Sequence, residues 1–98
     1  MEIPFPFFAD LRPRSGLASK YHITVTNAPG TLDPDYRGEA AAVIHNLGKE
    51  VFYIEKNMRI AQLVFLRAEI PMLHEVSCHS ALNGTARGAG GFGSTGLH

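Results

Sequence analysis

Residues 21–26, Tyr-His-Ile-Thr-Val-Thr, alternate apolar and polar side chains and are rich in β-branched types, and the pattern returns at residues 39–45 and 59–66. A period of two places alternate side chains on one face of an extended strand, so these stretches read as half-buried β-strands. Val51-Phe52-Tyr53-Ile54 and residues 73–76 are shorter candidates, and turn formers stand between them at Pro29-Gly30, Asn46-Leu47-Gly48 and Lys56-Asn57. Five short strands punctuated in this way predict an all-β chain, a barrel or a sandwich. One helical turn is predicted at residues 15–20, after Pro13 and with Ser15 placed to cap it. From Asn83 onward apolar periodicity stops. The segment 83–98 is therefore expected to stand apart from a core at residues 1–82, as a flexible arm that orders on a ligand or a neighbouring subunit.

A chain of 98 residues has room for one domain with a small core, near the size where assembly supplements folding. Nine Lys and Arg balance nine Asp and Glu, so no charge excess draws the chain to nucleic acid or to an anionic membrane. Cys78 is the only cysteine. That excludes an internal disulfide and fits a reducing compartment, the cytoplasm by default, with a nucleus or organelle open in a eukaryotic cell. The apolar start Ile3-Pro4-Phe5-Pro6-Phe7-Phe8 is too short and too broken by proline for a signal peptide, and no stretch reaches the ~20 apolar residues of a membrane span. Histidines 22, 45, 74, 79 and 98 form no zinc-ligand spacing, so no bound zinc is expected.

Four clusters carry chemistry. Six of the ten glycines lie from Gly84 to Gly96, five of them in the run Arg87-Gly88-Ala89-Gly90-Gly91-Phe92-Gly93-Ser94-Thr95-Gly96. Glycine lets backbone N–H groups approach an anion closely. Arg87 can pair bidentately with a phosphate, Ser94 and Thr95 can donate to phosphate oxygens, and Phe92 offers a face to a base. A plain flexible linker is the other reading of such a tail. In Pro13-Arg14-Ser15-Gly16-Leu17-Ala18, unpaired amides at a helix start beside an arginine make a ready anion site; a capped surface helix is the alternative. Arg59-Ile60-Ala61-Gln62-Leu63 reads as a buried strand in which only the Gln62 amide needs a polar partner. Residues 27–38, Asn-Ala-Pro-Gly-Thr-Leu-Asp-Pro-Asp-Tyr-Arg-Gly, read as a turn with solvated carboxylates if taken alone.

Taken together and in order, these motifs resemble those of the trimeric deoxyuridine triphosphatases (dUTPases). The closing R-G-x-G-G-F-G-S-T-G, the hairpin N-x-x-G-x-x-D-x-x-Y-x-G, P-R-S-G-L-A and R-I-A-Q-L all match. The resemblance covers about residues 3–96 and implies a distorted jelly-roll β-barrel, a homotrimer, and hydrolysis of dUTP to dUMP and pyrophosphate with Mg²⁺. It implies that Asp33 is the catalytic base for water attack on the α-phosphorus. It further implies that Asn27 and the turn through Gly30 hold uracil, and that Tyr36 lies beneath the deoxyribose and excludes a 2′-hydroxyl. Arg14, Ser15, Gly16 and Gln62 would hold phosphates, with Arg87, Phe92, Gly93, Ser94 and Thr95 closing over the nucleotide. No side chain of this chain is expected to ligate the metal directly.

Two departures accompany the match. The family's first motif, A-G-x-D-L, whose aspartate positions Mg²⁺ through water, has no counterpart here, so the resemblance implies an N-terminally truncated barrel with unpaired strand edges. Asn57-Met58 stands where the family has glycine and aspartate; Asn57 can adopt a left-handed turn, whereas Met58 replaces an acid. A non-catalytic dUTP-binding or regulatory subunit is thus a second reading, and a dCTP deaminase, which shares the D-P-x-Y-x-G hairpin, is a third.

Overall fold

A computed structural model describes residues 1–97; His98, the end of the expected arm, lies outside the described residues. In chain order the elements are β1 (Phe7–Arg12), α1 (Ser15–Tyr21), β2 (Ile23–Val25), β3 (Gly30–Leu32), β4 (Ile44–Asn46) and β5 (Gln62–Arg67), then a 3₁₀ turn at His79–Ala81. β1 is the centre of a three-stranded antiparallel sheet ordered β3-β1-β5, and β2 pairs with β4 in a second sheet. The regular structure is mostly β, with few helical residues, and both sheets stay open within one chain.

The pivotal strand, β1, is the one that the alternation pattern did not reveal. Pro4 and Pro6 before it and Asp10 within it break the signal, yet Phe7, Ala9 and Leu11 share one face, and the full register from Phe7↔Arg67 to Arg12↔Gln62 on β5 satisfies its backbone. Ala9 and Leu11 are buried on that face. Conversely, Val51-Phe52-Tyr53-Ile54 and residues 73–76 are not strands. They find no ladder partner among the described residues, and Val51, Tyr53 and Leu73 are exposed. The strand expected at 39–45 forms only at its end, as β4, and that expected at 59–66 begins at Gln62.

Two local expectations also shift. Ser15 is the first helical residue rather than the cap: Arg14 takes the N-cap position in an extended conformation, with no side-chain capping bond. The reason lies across the fold, where the carbonyl of Pro13 accepts a bond from Gln62 and the Arg14 side chain is anchored on Arg59. Tyr21, expected in a strand, closes α1, and His22 follows it at φ 60, its N–H bonded to the carbonyl of Ala18 at 3.1 Å. A side chain in this left-handed position is strained, so His22→Gly is expected to raise stability by about 0.5–1 kcal/mol, read as a higher denaturation midpoint. An unchanged or lower midpoint would count against that strain.

The buried apolar side chains are few, namely Ile3, Ala9, Leu11, Ile23 and Val25. The radius of gyration is 19.5 Å, against about 13 Å for a compact domain of this length. A thin molecule of 57 × 40 × 17 Å leaves Phe65 61% and Leu73 89% exposed. No helix of the described residues is long and apolar enough to cross a membrane.

Candidate functional site

The second and third chemical clusters of the sequence, Arg14 with Ser15 and Gly16 on one side and Gln62 on the other, are stapled together by crossed bonds. Arg14 Nη1 donates to the carbonyl of Arg59 at 2.9 Å, and Gln62 Nε2 donates to the carbonyl of Pro13 at 2.9 Å. Both side chains border an open cleft of about 490 Å³ with Leu11, Ala42, Ile60 and Leu63 in its walls. A guanidinium carries five N–H donors and a primary amide two, so each side chain keeps donors beyond its structural bond. At the start of α1, Ala18 is the first residue whose N–H finds a helical carbonyl, that of Arg14 at 3.0 Å. The amides of Ser15, Gly16 and Leu17 precede that ladder. Nothing stands within 4 Å of where a Cβ on Gly16 would project, so that side is open to a ligand.

Asn57 sits at φ 70, in the left-handed turn foreseen for it, and Met58 lends an apolar wall to the cleft where the family pattern has an acid. Among the described residues no three carboxylate, imidazole or thiol groups converge. The donor set here does not fit a magnesium ion, which prefers an octahedral shell of oxygens.

The stretch from Asn27 to Gly38 joins two different sheets. β3 leaves the neighbourhood of β2 and pairs with β1, so the Pro29-Gly30 segment is a crossover rather than a two-strand hairpin. The Asn27 side chain leans on Gly30, where a Cβ would stand 3.1 Å from Nδ2; glycine leaves the amide its place. Asp33 is the first residue beyond β3. Its carboxylate is exposed and pairs with no described side chain, while its carbonyl accepts the N–H of Tyr36 at 3.1 Å to close a turn. Tyr36 is exposed, which rules out a core role, and its hydroxyl donates to the carbonyl of Glu39 at 2.8 Å. The ring lies over Gly38, where any Cβ would overlap it. Arg37 fastens the loop, donating to the carbonyl of Pro34 at 2.6 Å and pairing with Glu2 at 3.3 Å.

The glycine-rich segment folds only on itself. Arg87 Nε donates to the carbonyl of Gly90 at 2.7 Å, and short turns follow from Gly91 to Ser94 and from Gly93 to Gly96. Positive φ at Gly88, Gly93 and Gly96 explains glycine at those three positions, while Phe92 adopts φ 43 and is fully exposed. Gly93, Ser94 and Thr95 are exposed as well. Within one chain the structure therefore unites Arg14, Ser15, Gly16 and Gln62, and separately Asn27, Gly30, Asp33 and Tyr36. It docks the arm on neither group, and none of Asn27, Asp33 and Tyr36 lines the cleft.

Sequence reasoning overlooked Asp10 and Arg12, which form an ion pair at 3.1 Å on β1. An acid between Ala9 and Leu11 in an otherwise alternating stretch was the available signal. Cys78 is exposed, and its thiol lies below the usual range because the Ser80 hydroxyl and the Ala81 amide hydrogen-bond to the sulfur.

The dUTPase family model matches residues 1–96. The chain is 55% identical over 95 residues to a deoxyuridine 5′-triphosphate nucleotidohydrolase of Rickettsia felis, and 56% identical over 95 residues to that of Rickettsia rickettsii. In both comparisons 97% of the chain is covered, and it spans 62% of the length of the relative. Among solved structures, a Staphylococcus bacteriophage 80alpha dUTPase with dUpNHpp superposes with a TM-score of 0.76 at 28% identity, covering 98% of this chain and 70% of the phage chain.

Proposed function

The chain belongs to the dUTPase family, and on that premise we propose that it hydrolyses dUTP to dUMP and pyrophosphate at a site completed by three copies of itself. The observation that carries this reading is the crossed pair of bonds between Arg14 and Arg59 and between Gln62 and Pro13. These bonds hold a guanidinium and an amide at the mouth of one cleft, with spare donors for a triphosphate. Ser15 and Gly16, next along the chain from Arg14, add free amides at the start of α1.

In the proposed reaction, the exposed Asp33 carboxylate accepts a proton from the water that attacks the α-phosphorus, and pyrophosphate departs in line. Asn27, beside Gly30, reads the uracil edge. Tyr36, held by its bond to Glu39 and by the absence of a side chain at Gly38, supports the sugar and leaves no room for a 2′-hydroxyl. Arg87, Phe92, Gly93, Ser94 and Thr95 close over the nucleotide, and for this Arg87 exchanges its bond to the Gly90 carbonyl for one to a phosphate. Mg²⁺ would supply counter-charge to the triphosphate; since the described residues offer it no cage, no step here is routed through it.

The homotrimer is supported by surface arithmetic. A compact protein of this mass exposes about 5,500 Å², against 8540 Å² here. The difference, of order 3,000 Å², is the size of an obligate interface. The distorted jelly-roll barrel is accordingly proposed for the assembled protein, in which the free edges of β3 and β5 find partners. Met58 and the lack of an acidic cluster among the described residues favour a second reading, a subunit that binds dUTP without turning it over.

One assay separates the two. Purified chain with Mg²⁺ and dUTP is expected to release dUMP and pyrophosphate, leaving UTP and dCTP intact. Saturable dUTP binding in calorimetry with no pyrophosphate formed would replace catalysis by the binding role.

A further inference from the structure

Asp10 is the one charged side chain buried in the described structure, at 7% exposure, and neither a motif nor the proposed reaction uses it. It lies at the middle of β1. One carboxylate oxygen accepts from Arg12 Nη2 at 3.1 Å and the other from the Thr31 hydroxyl, on β3, at 3.4 Å. We infer that Asp10 is a positioning residue that sets the register of β3 on β1 and so the point at which Asp33 leaves the sheet; the inference rests on the reading of Asp33 as the general base.

The strand that delivers Asp33 is three residues long and pairs only with β1, in the register Ala9↔Leu32, Asp10↔Thr31, Leu11↔Gly30. Backbone ladders of that length are nearly indifferent to a slip, so side chains must discriminate. In the observed register the buried carboxylate meets the only hydroxyl of β3. A slip of one residue would bring Gly30 or Leu32 opposite Asp10, and neither side chain carries a donor. A buried acceptor without its donor is costly. The same slip would displace Asp33 by about 3.3 Å and turn it to the other face, far beyond the roughly 1 Å error that a positioned base tolerates.

The surroundings of Asp10 extend the same logic. Arg12, its charge partner, stands opposite Gln62 in the pairing of β1 with β5. Residues directly opposite or two apart share a face. Gln62, Arg12, Asp10 and Thr31 therefore form one polar line across the sheet, from the rim of the triphosphate cleft to the strand that precedes Asp33. Among the described residues the Asp10–Thr31 bond is the only side-chain hydrogen bond between β1 and β3. Register and phosphate side are thus tied through a single buried acid.

The test compares the full chain with Thr31→Val, Asp10→Ala, the double variant and Asp10→Asn. Thr31→Val and Asp10→Ala are each expected to lower kcat for dUTP by about 10- to 100-fold, with KM within about threefold. The double variant should be no worse than Asp10→Ala, because Asp10→Ala already removes the bond that Thr31→Val removes. Asp10→Asn keeps an acceptor for Thr31 and is expected to retain kcat within about threefold. Thr31 is exposed, so its valine variant folds even if Asp10→Ala does not. Unchanged kcat in Thr31→Val, multiplicative losses in the double variant, or an Asp10→Asn as impaired as Asp10→Ala would overturn the register role alone. A wild-type chain inactive toward dUTP would overturn the hydrolytic reading. Amide exchange at Thr31 and Leu32 then decides the register role: faster exchange in Thr31→Val upholds it, and unchanged protection overturns it.

Discussion

Asp33→Asn is expected to lower kcat for dUTP by about 10³-fold, with binding of dUpNHpp, the compound present with the phage dUTPase, held within about threefold. The amide matches the carboxylate in shape but takes no proton from water. Because Asp33 is exposed and unpaired among the described residues, the change removes no structural contact. Its cost in stability should stay within about 0.5 kcal/mol, as for other surface substitutions. A loss of activity would therefore report chemistry and not folding. Pyrophosphate release under saturating dUTP measures kcat, and calorimetry with the analogue measures binding. A variant keeping more than about a tenth of wild-type kcat would remove Asp33 from the role of base, since general-base catalysis contributes at least about 10²-fold.

Ending the chain at Leu82 is expected to cost about 10³-fold in kcat/KM while leaving secondary structure and assembly size unchanged. The bonds of the removed segment are internal: Arg87 to Gly90, Gly88 to the Thr85 hydroxyl, and the turns around Gly91 and Gly93. None ties it to either sheet. Its removal deletes an arginine, two hydroxyls and an exposed aromatic ring that the proposed site needs at the triphosphate, and little that the fold needs. Circular dichroism and light scattering would register structural damage; steady-state kinetics would register loss of phosphate contacts. Full kcat/KM in the shortened chain would show the arm to be a linker, and a change in particle mass would assign it to assembly instead.

The family of the chain was more legible than its sheet order. Arginine, glutamine, aspartate and glycine at set spacings carried the family resemblance, and the glycines at 30 and 38 prove to have steric reasons in Asn27 and Tyr36. Strand alternation, in contrast, marks which face of a segment is apolar and says nothing of its partner. It located β2 and most of β5, since Ile23, Val25, Val64 and Leu66 pack on a protected side. It missed β1, because the acid at position 10 looks like a break until Arg12 and Thr31 are seen to satisfy it. It overestimated Val51 to Ile54, where apolar, branched residues have no ladder to join within this chain.

Composition and residue order alone determined that the chain is mostly β, with a glycine-rich segment and an inventory of phosphate donors, because propensity, turn chemistry and donor inventory are local properties. Which strand lies beside which, that the two sheets stay open, and that Arg14 faces Gln62 across a cleft were decided only by tertiary structure. Those facts depend on hydrogen bonds between residues as far apart as positions 13 and 62, and no local preference can specify a partner at that separation.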